Sequence, residues 1–212
     1  METILIVVVV SFIFGLITGC VGRKYKENTG EQAVNNLLKK YFSNETYHLL
    51  KNVTLPTADG TTQIDHVLIS TKGIFVIETK KYSGWIFGDK KLPKWTKTTR
   101  RGEKYQFQNP LHQNYKHEKE IENYFDFLTD NCIKSIVVFV GDAEFKTAMP
   151  ENVLNLDNLV QYIKQFADDI LSLNRVYFIV GKLEFFRKEI SVKTDKEHIK
   201  YLEKKFGSNA TT

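Results

Sequence analysis

Cysteine is scarce: the 212 residues hold only Cys20 and Cys132, and Cys20 falls inside an apolar run, so Cys132 stands alone in the remainder. A disulfide framework is thereby excluded. Spacings of the CxxC and HxxxH kinds are also missing, which removes support for a structural zinc site. Internal repeats and low-complexity tracts are absent as well.

Charge is missing altogether from residues 4–22, ILIVVVVSFIFGLITGCVG. A helix needs about 20 apolar residues to cross the hydrocarbon core, so this run is expected to be one transmembrane helix. Met1-Glu2-Thr3 offers no Lys or Arg, whereas Arg23, Lys24 and Lys26 follow the run. The positive-inside rule then places the rest of the chain in the cytoplasm, on a single-pass protein of the cell membrane. Two other readings compete. A cleaved signal peptide would want a basic n-region, which is lacking. Ile17-Thr18-Gly19-Cys20 resembles a lipobox, and acylation of Cys20 would put the domain outside the cytoplasm.

What is present suits a folded domain, because 42% of residues are hydrophobic and 26% charged, enough apolar matter for a core. One domain with appendages fits the length. The expected plan is a linker over residues 23–29, an α/β domain over residues 30–142 and a mainly helical extension over residues 143–212. The net charge of +5 is mild, but Lys90, Lys91, Lys94, Lys97, Arg100, Arg101 and Lys104 crowd together around Trp95 and Tyr105. Such a patch can hold nucleic acid or anionic lipid. Lys94, Lys97, Arg100 and Arg101 are the candidate nucleic-acid contacts.

Periodicity predicts a first helix over residues 31–41, with Val34, Leu37, Leu38 and Tyr41 on one face and Thr29-Gly30 as its start. Strands are expected at residues 47–53, 63–70 and 73–80. The last two form a hairpin that is near-continuously apolar and therefore central in a sheet. Short β segments should follow around Trp85-Ile86-Phe87 and at residues 94–98. Asn109-Pro110 opens a helix over residues 111–128, and residues 133–140 form another buried strand. Three helices are expected to end the chain, over residues 156–171, 174–188 and 195–206, although Val176 to Val180 would also suit a strand. The order of elements is that of an α/β sandwich.

In a strand, residues i and i+2 share a face, so Glu78 and Lys80 aim at a common point. Asp65 interrupts the apolar run of the neighbouring strand, and a suitable hairpin register would bring it to Glu78. Two close carboxylates either repel or bind a cation. Oxygen-only ligation suits Mg²⁺ or Mn²⁺ better than zinc, and a cation held so beside a Lys suits phosphodiester hydrolysis, with the Lys orienting or deprotonating the nucleophile. From spacing alone, a salt-bridged strand edge is the better explanation of the same residues.

Gly30-Glu31, Ile64-Asp65-His66-Val67-Leu68, Gly73-Ile74-Phe75-Val76-Ile77-Glu78-Thr79-Lys80, Tyr82-Ser83-Gly84, Trp95 and Gln108-Asn109-Pro110-Leu111 leading to Gln113 and His117 occur in that order. This succession resembles the nuclease-related domain, NERD, over residues 30–141. The resemblance implies the PD-(D/E)xK nuclease superfamily, with a restriction-endonuclease-like mixed central sheet flanked by helices and a metal-assisted cut of DNA. It further implies Asp65 and Glu78 as ligands of Mg²⁺ or Mn²⁺, Lys80 as the residue steering water, and Glu31 and Gln113 as polar groups lent by two helices. No small-molecule cofactor is expected.

His66, pointing away from Asp65, is expected to be a packing residue. His112 and His117 have the wrong spacing for a helical metal pair. Trp85 and Trp95 are expected to pack or form a lid, and the phenylalanines between residues 178 and 186 to lie in the core. The function expected is that of a membrane-anchored, metal-dependent nuclease acting on DNA. The alternative is a non-catalytic module binding nucleic acid or protein at the cytoplasmic membrane face, or clamping anionic lipid.

Overall fold

In the computed structural model, residues 28–129 and 131–206 are described. The expected membrane segment, Cys20 and all but the last two residues of the linker lie outside them. Among the described residues, no helix is long and apolar enough to cross a membrane.

Helix α1, Thr29–Tyr41, begins earlier than expected, because the Asn28 side chain accepts a hydrogen bond from Gly30 N at 2.9 Å and caps it. Val34 and Leu38 form its buried face. Strands β1 (Tyr47–Thr57), β2 (Gly60–Ser70) and β3 (Gly73–Lys81) follow as an antiparallel meander. β1 continues through Pro56, past the expected end, because it lies at the sheet edge, where a missing backbone donor is tolerated.

The main sheet has the order β1-β2-β3-β7-β9, with β7 (Ile133–Val140) and β9 (Val153–Asn155) parallel to β3. It is therefore mixed, with β3 at its centre. Helix α1 and the short α3 (Leu159–Lys164) cover one face, where Val34, Leu38, Leu159 and Ile163 meet Leu68, Phe75, Ile77, Ile136 and Val138. Helices α2 (Pro110–Tyr124) and α4 (Leu173–Phe186) cover the other, where Ile121, Val176, Ile179 and Leu183 meet Val67, Ile69, Ile74 and Val76. The run read as buried on both faces is so: Gly73 through Glu78 are all buried.

A smaller sheet, β6-β5-β4-β8, comprises β4 (Gly84–Phe87), β5 (Lys94–Thr98), β6 (Lys104–Gln108) and β8 (Ala143–Phe145). The chain enters it through a turn at Gly84, whose φ of +97° and approach to Thr98 O admit no side chain. Trp95 is the centre of its core, stacked on Phe139 at 6.3 Å and 4° and donating from Nε1 to Asp89 O. It packs, as expected, whereas Trp85 is 47% exposed. β8 and β9, three residues each, are too short to carry a period and were not foreseen.

Other boundaries moved for tertiary reasons. α2 stops at Tyr124, where Phe125 turns extended to enter the core. The helix expected over residues 156–171 is a 3₁₀ turn, Leu156–Asn158, followed by α3, because Ile170 N and Leu171 N bond Thr71 O and tie the chain across the β2–β3 turn. α4 is helical, the strand alternative failing because Val176, Ile179 and Leu183 take one buried face. The expectation for its phenylalanines is corrected: Phe178, Phe185 and Phe186 are exposed, since that face is already filled. Helix α5, Val192–Phe206, follows.

Asn114 locks α2 to the main sheet. Its Nδ2 donates to Val76 O, Ser135 Oγ and Ile136 O at 2.9, 2.9 and 3.1 Å. Asn114→Ala is expected to lower the unfolding free energy by about 1–3 kcal/mol, read as a lower urea midpoint with unchanged far-UV circular dichroism.

Candidate active site

The ladder between β2 and β3 ends at His66 opposite Ile77. Beyond that pair β2 stays with β1, while β3 stays with β7 through Lys81. The sheet therefore forks, and the continued register sets Asp65 across from Glu78, on one face. In place of a ladder bond, Thr79 N donates to Asp65 Oδ2 at 2.7 Å.

Lys80 projects from the same face of β3 as Glu78. Its Nζ lies 2.8 Å from Glu78 Oε1 and donates to Gln113 Oε1 at 2.9 Å. Gln113 reaches the fork because Asn109 caps α2 through Leu111 N and donates to the carbonyls of Asp89, Lys90 and Leu92, which fixes where the helix starts. One turn on, His117 Nε2 lies 3.4 Å from Glu78 Oε2 without hydrogen-bond geometry, and its Nδ1 is hydrogen-bonded to Thr62 Oγ1 at 2.7 Å. Glu31 comes from the first turn of α1, which can approach β3 because Gly30 packs on Lys81 Cβ. The Lys81 ammonium donates to Thr29 Oγ1.

The charges are unequal in their compensation. Burial alone would raise the Glu78 carboxyl, but the Lys80 ammonium and the His117 imidazole outweigh it and bring it to about 2. Burial likewise works against the Lys80 ammonium, and the charge of Glu78 more than offsets it, so Lys80 is held above its ordinary value and stays cationic. Asp65 is less well compensated, since the charge of Lys80 lowers its carboxyl only as the smallest of the named effects. Burial first, then the charges of Glu78 and Glu31, raise its carboxyl well above the usual range despite the bond from Thr79 N.

Among the described residues, no three His, Cys, Asp or Glu side chains are grouped to enclose a metal. Mg²⁺ does not require that, since one or two carboxylates with water and substrate phosphate complete its shell. Asp65 and Glu78 supply such a pair, and the negative charge that raises Asp65 is what a divalent cation would relieve. The donor set fits the ion.

The structure brings Asp65, Glu78, Lys80, Gln113 and Glu31 to one fork. His66 points the other way, fully buried toward α1, where burial lowers its pKa to about 4. His112 bonds Lys90 O from the surface. Lys94 and Lys97 lie on β5, while Arg100 and Arg101 form the turn to β6, so the basic stretch is on the small sheet. Sequence reasoning did not assign His117 or Thr62 to the group. The signal for His117 was its spacing of i+4 from Gln113, which puts both on one helix face.

A forked mixed sheet carrying an Asp, a Glu-x-Lys pair and helix-borne polar groups defines the class of PD-(D/E)xK-like nuclease domains. The family model described as the nuclease-related domain matches residues 26–140, and the chain belongs to this NERD family, a member of that superfamily. An uncharacterized protein of Bacillus anthracis is 37% identical over 191 residues, covering 86% of each chain. No solved structure matches the chain.

Because the fold raises Asp65 above its unfolded value of 3.8, the native state binds the extra proton, and stability falls as pH rises through the native pKa. Asp65→Asn keeps an acceptor for Thr79 N without the charge. It is expected to raise the melting temperature at neutral pH by a few degrees, with the gain vanishing below pH 3.8. A melting series across pH checks this, and a loss of stability at neutral pH would contradict it.

Proposed function

We propose that the chain is a membrane-anchored, metal-dependent nuclease whose cytoplasmic domain hydrolyses DNA phosphodiesters. What carries this reading is the convergence of Asp65, Glu78 and Lys80 at the β2–β3 fork, with Gln113 bonded to the Lys80 ammonium, in a chain of the nuclease-related family. A mixed sheet with helices on both faces accords with a restriction-endonuclease-like architecture.

In this reading Asp65 and Glu78 hold Mg²⁺ or Mn²⁺, and Glu31 adds negative charge that favours a divalent ion. The cation, when bound, supplies Lewis-acid stabilisation of the phosphodiester. Lys80 orients the attacking water and offsets charge on the phosphoryl oxygens. Gln113 limits where the ammonium can go. His117, fixed by Thr62, lies against the second oxygen of Glu78 and keeps that carboxylate turned into the fork. Lys94, Lys97, Arg100 and Arg101 hold the DNA backbone by charge.

The full-length chain, kept in non-ionic detergent, is expected to nick plasmid in Mg²⁺ and to stop on chelation. Glu78→Ala and Lys80→Met should each slow cleavage by about a hundredfold or more. Cleavage that persists unchanged in Glu78→Ala removes the proposed site. The Glu78–Lys80 ion pair is also satisfied without any ligand, as a non-catalytic DNA- or protein-binding module would require. Such a module would bind DNA in a salt-dependent way with no turnover.

The anchor is the uncharged run at residues 4–22. The full chain should therefore sediment with membranes and resist alkaline extraction, whereas a chain starting at Arg23 should not. Equal solubility of the two would remove the anchor.

A further inference from the structure

Two hollows flank the fork, and their chemistry differs. One, of about 300 Å³, opens beside Gln113 and His117, and its walls set Asp59 and Glu120 against Lys116 and Lys119, so its charge gives a polyanion no net attraction. The other, of about 440 Å³, is lined by Tyr82, Lys97, Lys104, Tyr105, Gln106 and Phe107. It is aromatic and cationic, with no carboxylate in its lining.

This second hollow adjoins the candidate active site directly. Tyr82 follows Lys80 by two residues and lies within electrostatic reach of its ammonium. The Tyr82 ring is held from behind by Phe107, centroids 4.8 Å apart, and by Phe139 at 6.3 Å. Lys97 Nζ sits over both tyrosines, 4.7 Å from the Tyr82 centroid and 5.3 Å from that of Tyr105. Tyr105 is half exposed, and Gln106 beside it offers an amide at the rim. The Tyr105 hydroxyl donates to Glu103 Oε2 at 3.1 Å, which holds the ring at the rim of the hollow.

Aromatic rings interleaved with lysines bind unpaired bases, because every base has a π-face and the lysines follow the backbone. We propose that this slot stacks one unpaired base of the DNA strand whose phosphodiester lies at the Lys80 group, so that the substrate is single-stranded or locally unpaired DNA. An approaching phosphate draws Lys97 from the rings into an ion pair, and the base takes the vacated face. Bases in an intact duplex keep their faces against neighbouring bases and cannot enter. The proposal rests on the nuclease reading for the position of the strand, but binding itself requires no cleavage.

The test uses the full-length chain in non-ionic detergent with EDTA, and fluorescence anisotropy with three labelled probes of equal length: oligothymidine, a wholly abasic strand, and a duplex. Oligothymidine should bind most tightly. Tyr105→Ala should weaken it by about 5- to 150-fold while leaving the abasic strand unchanged, and Tyr105→Phe should behave as the unsubstituted protein. Lys97→Ala should weaken both single strands. Equal affinity for thymidine and abasic strands, an equal loss for both in Tyr105→Ala, or duplex binding as tight as that of oligothymidine would overturn the slot. Plasmid cleavage in Mg²⁺ without a base-dependent preference would remove the slot alone. A base-dependent preference without any cleavage would remove the nuclease reading alone.

Discussion

Between Ile77 and Thr79 the central strand β3 leaves one neighbour and keeps the other. A strand that parts from its partner exposes backbone amides that must find acceptors, and here Asp65 Oδ2 takes the Thr79 amide. That single bond ties the parted strands together at the point where their backbones diverge. The Asp65 carboxyl is thereby fixed across from Glu78, so the same constraint that opens the sheet also sets two carboxylates at its mouth. Gln113, His117 and Glu31 are brought to that mouth by helices whose starts are set by Asn109 and Asn28.

The resulting group is not neutral. Lys80 balances Glu78, and both gain from the pairing, but the carboxyl of Asp65 is raised by burial and by the charges of Glu78 and Glu31. A fold selected only for stability would place an amide side chain there, which accepts from Thr79 N without carrying the charge. The raised carboxyl is carried at a cost to stability, which the surrounding core of β2, β3 and β7 offsets; in the metal-dependent reading proposed above, a divalent cation would relieve it.

The small sheet extends this rigidity outward. Phe107 and Phe139 pack against Tyr82, and Trp95 packs against both of them, so an aromatic cluster continues from the end of β3 to the basic strands β5 and β6. Lys97 rests on the faces of Tyr82 and Tyr105 in a hollow whose lining holds no carboxylate. Positive charge and π surface are thus available together, next to the Lys80 group.

The sequence by itself determined the hydrophobic plan: the uncharged run at residues 4–22, the doubly buried β2–β3 hairpin, the Asn109-Pro110 helix start and the Glu78/Lys80 pair on one face. These follow from local periods and caps, which neighbouring residues settle. Glu31 and Gln113 were reached only through family resemblance, because their distance along the chain hides a shared destination. Tertiary structure decided the rest. The fork depends on which neighbour β3 keeps, the raised carboxyl of Asp65 on its burial near Glu78 and Glu31, and His117 on a helix phase fixed by its cap. The exposed phenylalanines of α4 likewise reflect a core face already filled by Val176, Ile179 and Leu183. Each is a property of packing between segments far apart in sequence, and only the i+4 spacing of His117 from Gln113 left a local trace of it.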